Sequence, residues 1–197
     1  MKMVDQETKR RWQALLMLMA VFNASSLLAM SEEKEIEMGR EEHKKIISQY
    51  GVYRDENLQT YVSMVGERVA KESSRPNLEY HFTVLDDDMI NAFALPGGFI
   101  YVTRGMLTHM NSESELAAVL GHEVAHVTEK HAIRRNSRSQ ALNILSTVAS
   151  AVTMSQMGQV AAQGVGELGG MFGGVLVTGY SREFELEADA VGAKFMA

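Results

Sequence analysis

The stretch that most narrows what this chain can fold into is Gly121-His122-Glu123-Val124-Ala125-His126, inside a run that reads as helical from Ser112 to about His131. Ser112 and Glu115 have capping-box spacing, which marks a helix start. Leu116, Leu120, Val124 and Val127 recur at helical spacing and predict a stripe packed on a core. At about 100° per residue, His122 and His126 stand about 40° apart, one turn above the other, off that stripe. Two imidazoles so placed can grip one cation. Glu123, about 60° round from His126, can reach a water bound to it. This is the H-E-x-x-H spacing of zinc hydrolases, with two ligands and a general base. The same five residues also arise by chance on surface helices with solvated histidines.

The chain has 197 residues, enough for one domain with room for an appended segment. Its net charge of −6 and the lack of a basic stripe argue against nucleic acid as a partner. With no cysteine there is neither a disulfide framework nor a thiolate metal site, so any metal is held by histidines and carboxylates. The 14 methionines sit largely in the N-terminal apolar run and on helical faces, where core filling explains them.

Lys9, Arg10 and Arg11 precede 19 uncharged residues, Trp12 to Met30, the layout of a signal sequence. Its most apolar part, Ala14 to Phe22, is short for a membrane span. Residues 1–30 are therefore expected to be a signal peptide or an uncleaved signal anchor, which would export the chain and could attach it to a membrane. Residues 31–197 form the expected folded domain. Helices are predicted over Ser31–Gln49 and Glu56–Glu72, the second with Leu58, Tyr61, Val62, Val65 and Val69 inward. His43 on the first reads as packed or solvated.

Tyr80–Leu85 alternates like a strand, and Asp86-Asp87-Asp88 reads as a solvated turn. Ile90–Leu95 and Phe99–Thr103 read as a hairpin about Pro96-Gly97-Gly98. An exposed edge strand just before the His-Glu helix, carrying Asn91, Ala92, Phe93 and Ala94, could pair with an extended peptide. Beyond that helix, Arg134–Arg138 is expected to be a polar hinge, Ser139–Met157 a buried helix, and Gly158–Gly179 a loose cover over the site. His131 falls about 140° from His126 in helical phase and is expected to point away from it as a structural residue.

The last stretch, from Ser181, starts a helix with Phe184, Ala188, Val191 and Phe195 inward. Glu185 and Asp189 share a face at i and i+4, whereas Glu187 points elsewhere. Such a pair can supply a metal ligand and an acceptor that orients a ligand histidine, though acids on a helix are usually solvated.

Three separated motifs now stand in order: N-A-F-A-x-P-G-G at Asn91–Gly98, E-L-A-A-V-L-G-H-E-x-x-H at Glu115–His126, and S-R-x-x-E-x-x-A-D at Ser181–Asp189. Together they resemble the M48 zinc metallopeptidases, in particular the exported bacterial branch with its periplasmic proteases of outer-membrane assembly. The resemblance implies an α+β fold, a mainly helical gluzincin domain with a small β-sheet flanking the H-E-x-x-H helix. It implies one Zn²⁺ per chain on His122, His126 and Glu185, with Glu123 as catalytic base and Asp189 hydrogen-bonded to a ligand histidine from outside. The expected activity is that of a zinc metalloendopeptidase of the periplasm or cell envelope. It would cut exported, misfolded or membrane-associated polypeptides, with the outer-membrane assembly machinery as a candidate partner. The rival expectation is a chaperone-like or binding module with a plugged, weakly active zinc site. Members of this branch continue past the position of Ala197, so the domain is expected to be shortened there, with any additional catalytic His or Arg beyond it.

Overall fold

A helix whose glycine lies close against a turn sets the first contact. The computed structural model describes residues 30–139 and 180–196. The chain divides into two units after Glu35, and the candidate site lies wholly in the second, Ile36–Ala197. Helix α1 (Glu32–Tyr50) crosses that division. At Gly39 any Cβ would run into the Pro96 carbonyl and the Phe99 ring, so only glycine lets the helix come down on the turn there. Ile46, one and a half to two turns on, is buried with Leu85, Phe93, Leu95, Phe99 and Tyr101. His43 is packed as expected: its ring lies against Phe99, and its Nδ1 is 2.7 Å from the Tyr101 hydroxyl.

Asp55 caps helix α2 (Glu56–Lys71) by accepting from the Leu58 N–H at 3.0 Å. The expected face goes inward, with Val62, Val65 and Val69 buried. A three-stranded sheet follows, built from β1 (His81–Leu85), β2 (Ala92–Leu95) and β3 (Phe99–Thr103) in the order β1-β3-β2. The hairpin of β2 and β3 is antiparallel, and β1 runs parallel to β3. β3 is central and buried along its whole length, which fits its unbroken run of large apolar and aromatic residues from Phe99 to Val102. The turn between β2 and β3 has Gly97 at φ 77° and Gly98 at φ 95°, conformations open to glycine at little cost.

Asp86 and Asp88 both bind Arg104 in the short helix α3 (Arg104–Leu107), so the acidic turn is tied down rather than merely solvated. Val62, Val84, Ile100, Val102, Leu120 and Val124 form the fully buried centre between α2, the sheet and the His-Glu helix. Burial of each such side chain contributes about 1.5–3 kcal/mol relative to exposure. This is an α+β arrangement, mostly helical with one small sheet. Among the described residues no helix is long and apolar enough to cross a membrane. The expectations for residues 1–29 and for residues 140–179 lie outside the described residues.

Candidate metal centre

Helix α4 (Glu113–Thr128) begins as its sequence predicts. The Ser112 hydroxyl accepts from the Glu115 N–H at 3.2 Å, while the Glu115 carboxylate reaches one residue further back than in a standard box, to the Asn111 N–H at 2.6 Å. α4 is not a one-sided helix. It packs against α2, β2 and helix α5 (Arg182–Gly192). From Leu120 to Thr128 all but His122 are buried. The expectation that both histidines lie off the packed face holds for His122 alone, because α5 and Tyr180 cover the side that holds His126.

α5 starts at the predicted Ser181, which makes no side-chain capping bond. Phe184 and Ala188 face the core. Gly192 crosses α4 at Gly121, where a Cβ on Gly192 would stand 2.8 Å from the Gly121 carbonyl group. Two glycines thus let the helix backbones meet, and that approach brings Glu185 and Asp189 over the histidines.

The His122 Nε2 and His126 Nε2 atoms are 2.9 Å apart. One Glu185 oxygen is 3.2 Å from His122 Nε2, and the other is 4.0 Å from His126 Nε2. Among the described residues these three side chains alone form a donor group, with all atoms within 4.8 Å of one another. Tetrahedral zinc with bonds of about 2.0–2.1 Å spaces its ligands about 3.3 Å apart, so the donor set fits such an ion. Asp189 accepts from His122 Nδ1 at 2.8 Å, which leaves the His122 Nε2 lone pair facing inward.

Burial, then the charges of His122 and His131, depress His126 to about 3, so its imidazole is neutral and able to ligate. Glu123 is buried. Burial first, and the Glu185 carboxylate second, raise its carboxyl to about 8. Burial also raises the Tyr180 phenol, whose ring stacks on His126 with centroids 4.2 Å apart.

These groups line a cleft of about 550 Å³ whose other wall is Ile90, Asn91, Ala92 and Phe93. β2 is an outer strand of the sheet. Asn91 precedes it but already accepts from the Thr103 N–H at 3.0 Å. Antiparallel pairing alternates, so Phe93 and Leu95 also bond toward β3, and the N–H and C=O groups of Ala92 and Ala94 point away from it.

Two expectations fail just past α4. The helix stops at Thr128, and Lys130 takes φ 54°, rare for a residue with a side chain, at a cost of about 1–3 kcal/mol. The chain then turns and is helical over residues 131–139, where a polar hinge was expected. Helical phase consequently does not carry through to His131. It folds back on His126, with the two Nδ1 atoms 2.8 Å apart. His131 is fully buried, stacks on Phe184, and places Nε2 3.1 Å from Glu187. Glu187 also accepts from Arg134. Burial alone would raise the Glu187 carboxyl, but the bonds from His131 and Arg134 outweigh it and hold it below its usual value. Glu187 points away from the metal donors as expected, yet it belongs to their surroundings. No glycine or proline near Lys130 signals the stop, so neither His131 nor Glu187 is legible as a site residue in the sequence.

The family model described as peptidase family M48 matches residues 56–197, which is most of the chain and includes every residue of the donor group. The chain belongs to peptidase family M48. It is similar to the beta-barrel assembly-enhancing protease of Yersinia pestis, 26% identical over 185 residues, covering 91% of this chain and 37% of that protein. The protein of the same name in Escherichia coli (strain K12) is 28% identical over 180 residues, 88% of this chain and 36% of its own length. The mitochondrial metalloendopeptidase OMA1 of Schizosaccharomyces pombe is 32% identical over 173 residues, 85% and 48% respectively. The chain thus spans from about a third to a half of the length of these curated relatives. The M48 match accords with a metallopeptidase donor set of two histidines and a glutamate.

Proposed function

We propose that this chain is the catalytic domain of a zinc metalloendopeptidase with a gluzincin arrangement, in which His122, His126 and Glu185 hold one zinc ion. The observation that carries the reading is the convergence of two imidazoles and a carboxylate from two helices, 59 residues or more apart in sequence, beside a buried Glu123. A zinc ion held there would polarise a substrate carbonyl and lower the pKa of an attacking water from about 15.7 toward about 7. Glu123 takes the proton from that water and passes it to the amide nitrogen that leaves. Burial raises the Glu123 carboxyl when no cation is present, and a cation held beside it would lower it again and leave the carboxylate free to take a proton. Asp189 holds the His122 ring in the ligating orientation.

An extended polypeptide would add to the free side of β2 through Ala92 and Ala94, laying its backbone along the cleft. We further propose exported, misfolded or membrane-associated proteins as substrates, a cell-envelope or periplasmic location, and the outer-membrane assembly machinery as a partner. The name shared by the Yersinia and Escherichia relatives supports this, as does the signal-like layout of residues 1–30.

The test is Glu123→Gln. It should keep one zinc per chain by elemental analysis and lose cleavage of an unfolded protein such as casein by about 10²–10⁴-fold. Turnover retained in that variant would remove Glu123 from the role of base. Wild-type protein that binds zinc without cleaving any polypeptide would favour the binding-module reading instead.

A further inference from the structure

We infer that His131 is a positioning residue for the metal site: held by Glu187, it accepts the Nδ1 proton of His126 and so turns the His126 Nε2 lone pair toward the ion. This rests on the proposed zinc site and deepens it. For a buried, neutral His131 the three groups permit one consistent placement of protons. Glu187 is bonded to Arg134 and His131 and, as a carboxylate, accepts only, so the His131 proton sits on Nε2, 3.1 Å away. A neutral imidazole with its proton on Nε2 offers a lone pair at Nδ1. The atom 2.8 Å from that lone pair is His126 Nδ1, which must then donate. His126 is left with its lone pair on Nε2, the atom that faces His122 Nε2 and Glu185.

The order of groups is therefore carboxylate, imidazole, ligand imidazole. His122 has the shorter version, with Asp189 directly on Nδ1. In both cases the outer nitrogen of a ligand histidine is satisfied and its inner nitrogen points into one space shared with a carboxylate. Two lone pairs and an anion facing one another repel, and a cation between them relieves that. The packing fixes the longer arrangement in place. His131 is fully buried against Phe184, with ring centroids 4.5 Å apart, and Tyr180 covers the face of His126. Arg134 lies over the other end, 4.7 Å from the Phe184 ring centre. A buried histidine that served only to fill space would not need both nitrogens aligned between an acceptor and a metal ligand.

The experiment measures zinc affinity by chelator competition for wild type, His131→Phe, His131→Asn and Glu187→Ala, beside nitrogen NMR of the histidine rings in the zinc-loaded wild type. His131→Phe keeps a ring against Phe184 but has no acceptor. His131→Asn restores an oxygen near the position of Nδ1. Zinc affinity should fall roughly 10–100-fold in His131→Phe, fall less in Glu187→Ala, and largely return in His131→Asn. The NMR should find the His131 proton on Nε2. Circular dichroism of the metal-free proteins reports folding separately, and Glu187, only partly buried, supplies the variant least apt to unfold. Equal zinc affinity in folded wild type, His131→Phe and Glu187→Ala would overturn the inference, as would a His131 proton on Nδ1. A wild type that takes up no zinc would instead overturn the proposed function on which it rests.

Discussion

His122 and His126 are the same residue type, one turn apart on the same helix, yet they stand in different media. The His122 side chain is 24% exposed, and its outer partner Asp189 is 69% exposed at the rim of the cleft. The His126 side chain is 2% exposed, and its outer partner is a second buried imidazole. The rim side is held by one bond that water and salt can screen. The interior side is held by packing, stacking and a bonded series that ends on Glu187. The two sides fail differently: the rim should lose geometry without losing the fold, whereas the interior should lose both together.

The sharpest way to break this comparison is to truncate each histidine. Both His122→Ala and His126→Ala should abolish stoichiometric zinc uptake. In urea unfolding of the metal-free proteins, His126→Ala should cost about 2–4 kcal/mol, as for a buried side chain cut to Ala. His122→Ala should cost less than about 1 kcal/mol. Equal costs would show that the two media are alike.

A smaller effect should reach both sides at once. Gly192→Ala puts a methyl group against the backbone of Gly121 and His122, which cannot move aside as a side chain could. The helices must part, at about 1–3 kcal/mol, and Glu185 should retreat from both imidazoles with a measurable fall in zinc affinity. On the rim alone, Asp189→Asn should weaken zinc binding by about 10-fold, at the low end of such effects. The part of that loss due to charge should shrink as salt rises, because exposed charges are screened.

The smallest effect is on pH dependence. Below about pH 6.5 the unfolded chain protonates the imidazole of residue 126, whereas the folded metal-free chain resists until about pH 3. The unfolded state thus binds more protons in that window, and His126 makes stability fall as pH drops through it. Glu123, raised to about 8, acts in the opposite sense, since its folded form holds a proton between about pH 4.5 and 8 and loses stability as pH rises there. His126→Gln should flatten the acid side of a pH–stability curve measured in chelator, and a curve as steep as that of wild type would contradict the interior setting.

Much of the site was legible before any coordinates. The capping pair Ser112 and Glu115, the i and i+4 pairing of the histidines, and the i and i+4 pairing of Glu185 with Asp189 are local facts of helical geometry, and all appear. The hairpin at Pro96-Gly97-Gly98 was equally plain, because two positive φ angles select glycine. What failed were arguments that carried helical phase past an unmarked end. Lys130 reverses the chain with no glycine to announce it, so His131 looked remote from His126 and the segment after it looked like a hinge.

The sequence by itself determined which side chains share a helix face, because neighbours within a few residues are fixed by the backbone repeat. It also determined that any metal must be held by imidazoles and carboxylates, since there is no thiol. Only the tertiary structure decided that the two helices touch at Gly121 and Gly192, and so where Glu185 and Asp189 come to rest. It alone decided that one histidine is wet, the other dry, and that a third stands behind the dry one. Burial and approach between segments some 60 residues apart depend on how the whole core closes, and no local pattern carries that information.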